Sequence, residues 1–332
     1  MGELPCPAAI GSRSAASLKR RGREPRSALV IEFLGVTKVY RSLLGREVRA
    51  VDDFSLEIRA GEVLGIAGPN GAGKSTLLSM LLGYLKPTSG QIRIFGKTPR
   101  NYIEAVGVGY LSELIGVNPR WRVEEALTRY AVLAGVPDEE ESLRVDSVLE
   151  RLGLYEHREK RVKELSKGNL QRLGLAQAML RSQGVFILDE PTHGLDPLWT
   201  SKFRELVAEL RRPDRAIIIA SHNLEELERL ADRVAIIDHG QLQRVVEITR
   251  VMPMKRATVY RLTIASGEDQ LEKVFAGAVD CGRGDFAVQT QGVADLNVKL
   301  IELMKRGVLV AGVAPAQSAL EHEFREAIGE VA

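Results

Sequence analysis

The chain has only two cysteines, Cys6 and Cys281, among its 332 residues. Two thiols cannot build a disulfide framework or a metal-ligand cluster, and such sparing use suits a reducing cytoplasm. Long apolar runs are missing as well. None reaches the roughly 18 residues that a membrane-spanning helix needs. The first residues lack the apolar stretch of a secretion signal. Excess charge of one sign is also lacking: 46 Lys and Arg against 44 Asp and Glu leave +2, which gives no global case for a nucleic-acid partner. No internal repeat and no sustained heptad pattern occurs. What is present is ordinary globular composition, 45% hydrophobic and 27% charged, at a length that suits one large domain plus a small one.

The charge is unevenly placed. Residues 1–27 carry six cations (Arg13, Lys19, Arg20, Arg21, Arg23, Arg26) against Glu3 and Glu24, a net +4 (6 − 2), so the remainder is −2. With almost no large apolar residues, 1–28 reads as a disordered basic tail. A tether to anionic lipid or to a partner is its functional alternative. From Leu29 onward, alternating and continuous apolar runs predict strands at 29–33, 54–58, 63–67, 92–95, 185–188, 216–220 and 234–238, the last of them closing the first domain. Amphipathic spacing predicts helices at 122–134, 143–152 and 168–180. A break near Met252-Pro253-Met254-Lys255 separates a second region. There the order is strand 257–265, helix 268–277, a hairpin through Gly282-Arg283-Gly284, helix 294–306, strand 308–313 and helix 317–328. The β-α-β-β-α-β part implies a small ferredoxin-like layer.

Four segments carry chemistry. Gly68-Pro69-Asn70-Gly71-Ala72-Gly73-Lys74-Ser75 fits G-x-x-x-x-G-K-[ST] at every fixed position, between a buried strand and an apolar helix. Phosphate oxygens need close approach to backbone N–H groups, which glycines allow. Lys74 then pairs with the β/γ oxygens, Ser75 ligates Mg²⁺, and Thr76 continues the helix start. Asp189 and Glu190 follow the apolar strand at 185–188, at the sheet edge where parallel folds place ligands. Asp189 suits the metal, and Glu190 suits the polarising of a water aimed at the γ-phosphate. Ser221-His222 follows the strand at 216–220. His222 either caps the next helix or, beside a γ-phosphate, hydrogen-bonds it and the attacking water. Between loop and acids lies Leu165-Ser166-Lys167-Gly168-Asn169, a Ser-x-Gly helix start that few nucleotide enzymes have at that place.

In that order the segments resemble the nucleotide-binding subunit of an ATP-binding-cassette (ABC) transporter, over about residues 29–245. The match comprises a Walker A loop at 68–75, a signature at 165–169, Walker B at 185–190, a D-loop at Gly194-Leu195-Asp196 and the switch histidine His222. The resemblance implies an α/β P-loop NTPase cassette: a RecA-like core, an antiparallel β layer and a helical subdomain at about 114–182, followed by the small α+β ferredoxin-like domain at 246–332. It implies ATP and Mg²⁺ as cofactors, with Ser166 and Gly168 facing the γ-phosphate of a second chain, identical or related. Tyr40 stands where the family places an aromatic on adenine, though an ordinary strand-edge tyrosine reads the same. Glu113 occupies the Q-loop position, where a carboxylate could reach Mg²⁺ or the coupling surface. His193 reads as a neighbour of the site. The commonest family signature is Leu-Ser-Gly-Gly-Gln; Lys167 and Asn169 depart from it and resemble the ABC-2 exporter branch. That branch implies an ATPase on the cytoplasmic face, driving an ABC-2 type permease on a separate chain through an arm formed by 122–152. The C-terminal region reads as a dimer-stabilising appendage or as a regulatory or substrate-specific module.

Two rivals are set against this. A soluble ABC ATPase acting on ribosomes usually carries two cassettes, and one acting on DNA carries long coiled coils; this chain has neither. A P-loop GTPase needs a guanine-reading Asn/Thr-Lys-x-Asp after the loop, and none follows it.

Overall fold

The computed structural model describes residues 29–41, 47–248, 259–315 and 319–329. The expected tail at 1–28 and the break at Met252-Pro253-Met254-Lys255 lie outside the described residues.

The chain begins with an antiparallel pair, β1 (Leu29–Arg41) and β2 (Glu47–Arg59), then β3 (Val63–Ala67), α1 (Lys74–Leu81), β4 (Ser89–Ile94), α2 (Pro99–Ala105) and β5 (Gly109–Leu111). Three helices follow: α3 (Val123–Leu133), α4 (Asp138–Arg151) and α5 (Lys167–Met179). Strand and helix then alternate through β6 (Val185–Asp189), α6 (Pro197–Leu210), β7 (Ala216–Ala220), α7 (Leu224–Leu230), β8 (Arg233–Asp238) and β9 (Gln241–Glu247). The C-terminal part is β10 (Val259–Ser266), α8 (Leu271–Val274), β11 (Val279–Gly282), β12 (Asp285–Gln289), α9 (Val293–Lys305), β13 (Leu309–Pro315) and α10 (Ala319–Ala327). Among the described residues no helix is long and apolar enough to cross a membrane.

Six strands form the central sheet in the order β5-β6-β7-β3-β8-β9. The first five are parallel and β9 is antiparallel at the edge. Both faces are covered, which explains the continuous apolar runs. Along β6, Phe186 and Leu188 enter one core while Val185 and Ile187 enter the other. The second core lies between this sheet and the antiparallel sheet β2-β1-β4, with α1 inserted through Leu77, Leu78, Met80 and Leu81. The first core joins α3, α4 and α5 to the sheet through Leu127, Leu149 and Leu173. The four-stranded C-terminal sheet has the order β11-β12-β10-β13, all antiparallel, the ferredoxin-like arrangement expected, with its own core around Leu262, Phe275, Leu296 and Leu303.

Four expectations change. The strand at 234–238 does not close the first domain's sheet. A turn at His239-Gly240 returns the chain as β9, which runs past 245 to Glu247. Its polar, half-exposed edge position hides it from an apolar pattern. Helix α4 starts at Asp138 rather than 143, because its first turn (Asp138, Glu139, Glu140, Glu141) is all acidic. Those charges favour a helix N-terminus while giving no apolar period. The helix expected at 268–277 is a 3₁₀ turn, Glu268–Gln270, followed by the short α8. Finally, α10 leaves the small layer and returns to the cassette. Leu320 is fully buried in the first core, close to α7 and β9. Arg244 of β9 pairs with Glu323 and, at 3.2 Å, with Glu326.

Candidate active site

Sheet order assembles the site. β5, β6, β7 and β3 are neighbours, so their carboxyl ends place the segments after Leu111, Asp189, Ala220 and Ala67 side by side. A cavity of about 540 Å³ opens there, lined by Ala50, residues 69–76, Glu113, Asp189, Glu190, His193 and His222. The loop residues Pro69, Asn70, Gly71, Ala72, Gly73, Lys74, Ser75 and Thr76 are therefore together, as the sequence indicates.

Two glycines make the loop possible. A Cβ on Gly68 would stand 2.4 Å from the Ile237 carbonyl oxygen of β8, closer than any side chain can go. Gly73 has φ +105°, and a Cβ there would stand 2.4 Å from the carbonyl oxygen of Ala50. Ala50 is the extra residue of a bulge, since Lys38 pairs with Val51 but Val39 with Arg49. The β1–β2 layer thus presses on the start of α1. No side chain caps that start, so its first N–H groups remain for an anion.

Lys74 is buried and its Nζ donates to the carbonyls of Gly68 (2.6 Å) and Pro69 (3.1 Å). Burial lowers its pKa, while Glu190, Asp189 and Glu113 oppose that shift. Burial pushes the Asp189 carboxyl up to about 6; repulsion from Glu113 and then Glu190 adds to this, and Lys74 counters it. Three carboxylates thus face one ammonium, a local excess of two negative charges (−3 + 1). A divalent cation fits that imbalance, with the Ser75 hydroxyl and Asp189 as hard oxygen donors on the same cavity. Among the described residues no three His, Cys, Asp or Glu side chains converge as a metal cage.

The sequence leaves Glu190 without a partner, whereas the structure occupies both its oxygens. Ser221 Oγ donates to Oε2 at 3.0 Å, and the His222 backbone N–H donates to Oε1 at 2.9 Å. His222 Nδ1 lies 2.8 Å from Oε1. A carboxylate only accepts, so Nδ1 carries the proton and Nε2 is left for another group. Glu190 has φ +47°, a left-handed conformation that costs a residue with a Cβ about 1 kcal/mol or more. Its N–H donates to Ala220 O at 2.9 Å, and Gln171 Nε2 donates to the carbonyls of Glu190 and Pro191, each at 3.1 Å. Ser221 and Gln171 escape a sequence reading because their value lies in contacts across the sheet. A serine directly before the histidine at a strand end was the available signal for Ser221.

Other expected residues stand apart from the cavity. Ser166 is the exposed N-cap of α5, its hydroxyl accepting from Asn169 N at 3.2 Å. Gly168 abuts the D-loop: a Cβ on it would lie 3.0 Å from Gly194 O. Asp196 caps α6, accepting from Trp199 N at 2.9 Å. Asn169 accepts a hydrogen bond from Arg172, whose guanidinium lies 4.1 Å from the centre of the Trp199 ring. Tyr40 pairs with Val48 on the exposed end of β1, with Lys38 Nζ 5.5 Å from its ring centre. Neither Tyr40 nor the signature residues line the cavity.

The sequence pattern of the family described as ABC transporter matches residues 51–193. The bacitracin transport ATP-binding protein BcrA of Bacillus licheniformis is 32% identical over 311 residues, covering 90% of this chain and 97% of that protein. This chain belongs to the ATP-binding proteins of ABC transporters. A second relative, the methionine import ATP-binding protein MetN of Geobacillus kaustophilus (strain HTA426), is 35% identical over 227 residues, 65% of each chain. Among solved structures, the ATP-binding subunit of an ABC transporter superposes with a TM-score of 0.61 at 25% identity, covering 67% of this chain and 91% of that one. The chain is therefore an ABC-transporter ATPase subunit, and its fold is the P-loop NTPase cassette expected of one.

Proposed function

We propose that this ATP-binding subunit drives an ABC-2 type exporter, with two cassettes closing on ATP and a separately encoded permease receiving the motion. One observation carries the reading: Ser166 and the N-terminus of α5 are exposed and outside the chain's own ATP cavity. A helix start held there by the chain's own core cannot fold back onto Lys74, so it serves a nucleotide on a second chain, identical or closely related. The Leu-Ser-Lys-Gly form, which resembles the ABC-2 exporter branch, supports the branch and the direction, and the near full-length match to BcrA, a transport protein by name, supports a role in transport.

In this reading the loop from Gly68 to Thr76 cradles the phosphates, Lys74 turns from its carbonyls to the β/γ oxygens, and Tyr40 stacks on adenine. Ser75 and Asp189, with Glu113 nearby, would hold Mg²⁺, which would supply neutralising charge for the phosphates. Glu190 orients and polarises the water, and His222, hydrogen-bonded to Glu190, presents its other nitrogen to the γ-phosphate. Ser166 and Gly168 complete the site from the partner, and Asp196 lies at the seam between the chains. Helices α3 and α4 contact the permease on the cytoplasmic face. Nucleic acid has no role, in keeping with the near-zero net charge.

The test is oligomeric state with ATP. Glu190→Gln protein should shift from monomer to dimer on adding ATP and Mg²⁺ in light scattering. A variant that binds ATP yet stays monomeric would count against the sandwich. Tagged protein pulled from membranes should bring a multi-span permease; recovery of ribosomes instead would favour the soluble rival.

A further inference from the structure

Lys167 is the one residue of the signature that neither the ATP cavity nor its own helix explains. It is the first residue of α5, directly after the Ser166 cap. A cation in a helix's first turn opposes the helix dipole, and this turn holds no acid to offset it. Lys167 is therefore not there to stabilise α5. Its side chain nevertheless has a defined course. A Cβ built on Gly194, where φ is +82°, would stand 3.0 Å from Lys167 Cγ and Cδ and 3.1 Å from Cε. The methylene stem thus lies close across the D-loop glycine. At its end, Nζ stands 3.0 Å from Nε2 of His193. An ammonium has no lone pair, so in this contact Nζ donates and Nε2 accepts.

His193 is not merely a neighbour, because it lines the ATP cavity of its own chain. Lys167 sits between Ser166 and Gly168, which the reading above gives to the partner's nucleotide. We propose that the His193–Lys167 pair is a positioning link that ties the start of α5, and with it Ser166, to the chain's own ATP cavity. The inference rests on that in-trans reading. It makes each chain's signature surface answer to the contents of its own cavity. A γ-phosphate beside His193 acts on the imidazole, and the imidazole acts on the residue flanked by the two γ-phosphate contacts offered across the dimer. Family members with glycine in place of Lys167 have no side chain to make this link.

The test is a double-mutant cycle on the full chain. Lys167→Met keeps the stem over Gly194 and removes the ammonium. His193→Ala removes the acceptor. Each should lower kcat for ATP about five- to tenfold with KM near wild type, and the double variant should lose no more than either single one. His193→Gln, whose amide oxygen accepts as the ring nitrogen does, should recover most of the rate. Both positions are exposed, so melting temperatures should stay unchanged. Multiplicative losses, a rise in KM with kcat preserved, or no change in Lys167→Met would each overturn the link. Ser166→Ala run beside them separates the two ideas. If it leaves turnover intact, the in-trans reading itself fails. If it abolishes turnover while the cycle shows no coupling, only the link fails.

Discussion

Two helix starts carry the proposed phosphate contacts, and they are built in opposite ways. Helix α1 begins after Gly73 inside a cavity, uncapped, with Lys74 and three carboxylates around it. Helix α5 begins after Ser166 on the surface, and its own serine caps it. An uncapped, enclosed start waits for an anion that supplies the missing acceptors. A capped, exposed start is already satisfied and stable alone. A hydroxyl that accepts from Asn169 N can still donate its proton, so Ser166 can hold its helix and touch a phosphate at once. In the proposed reading the first start is a binding site and the second is half of an interface.

Substitutions should separate the two. The largest effect belongs to the enclosed side. Glu190→Gln keeps the size and hydrogen-bonding reach of the side chain while removing its charge. Turnover should fall about 10²- to 10⁴-fold with ATP binding retained, read as phosphate release against nucleotide affinity. Loss of ATP binding instead would mean that Glu190 mainly holds Ser221 and His222 in place.

On the exposed side, Ser166→Asp divides capping from contact. Aspartate caps a helix as well as serine, so the melting temperature should not fall. Its carboxylate would repel a partner's γ-phosphate. ATP-driven dimerisation and turnover should therefore drop by at least about tenfold while one chain's ATP affinity is kept. Retained dimerisation would erase the distinction between the two helix starts.

These two sides were unequally legible in the sequence. The phosphate loop, Asp189, Glu190 and His222 were readable because each follows a short apolar strand at fixed spacing, and strand ends are local features. Their closeness was not local. It depends on β5, β6, β7 and β3 being neighbours, an order that no single segment contains. For the same reason the bonds of Ser221 and Gln171 to Glu190 were invisible. Ser166 was readable as a helix start, yet nothing nearby in sequence shows that Lys167 lies across Gly194. The edge strand β9 and the acidic first turn of α4 were lost because polar residues carry no apolar period. The return of α10 to the cassette was lost because nine helical residues give too short a pattern to assign to a core.

A pH profile sharpens the electrostatic side. Asp189 is held near 6, above its ordinary 3.8. Its folded form thus keeps a proton that the unfolded chain releases, so nucleotide-free stability should decline as pH rises from about 4 to about 6 and level off above. Mg²⁺ needs the carboxylate, so Mg²⁺-dependent turnover should fall as pH drops through about 6. Glu113→Gln removes the largest charge repulsion on Asp189, and the acid limb should move to lower pH. A limb that stays in place would assign it to another group.

The smallest effect on turnover is expected farthest from both helix starts. Leu320 of α10 is fully buried with Leu227 and Leu230 of α7, the helix that begins just after His222. Leu320 N donates to Glu228 Oε1 at 3.4 Å, and Arg244 holds Glu323 and Glu326. Leu320→Ala should remove about 2–5 kcal/mol of packing. A nine-residue helix has little stability of its own, so that loss should undock α10 and leave the cassette folded. Amide exchange over 319–329 should accelerate, while turnover changes by less than about threefold, because α7 keeps its other anchor in the sheet through Leu227. A much larger loss of turnover would show that α10 helps to hold the His222 segment against Glu190. The enclosed half of the site would then extend as far as the last helix of the chain.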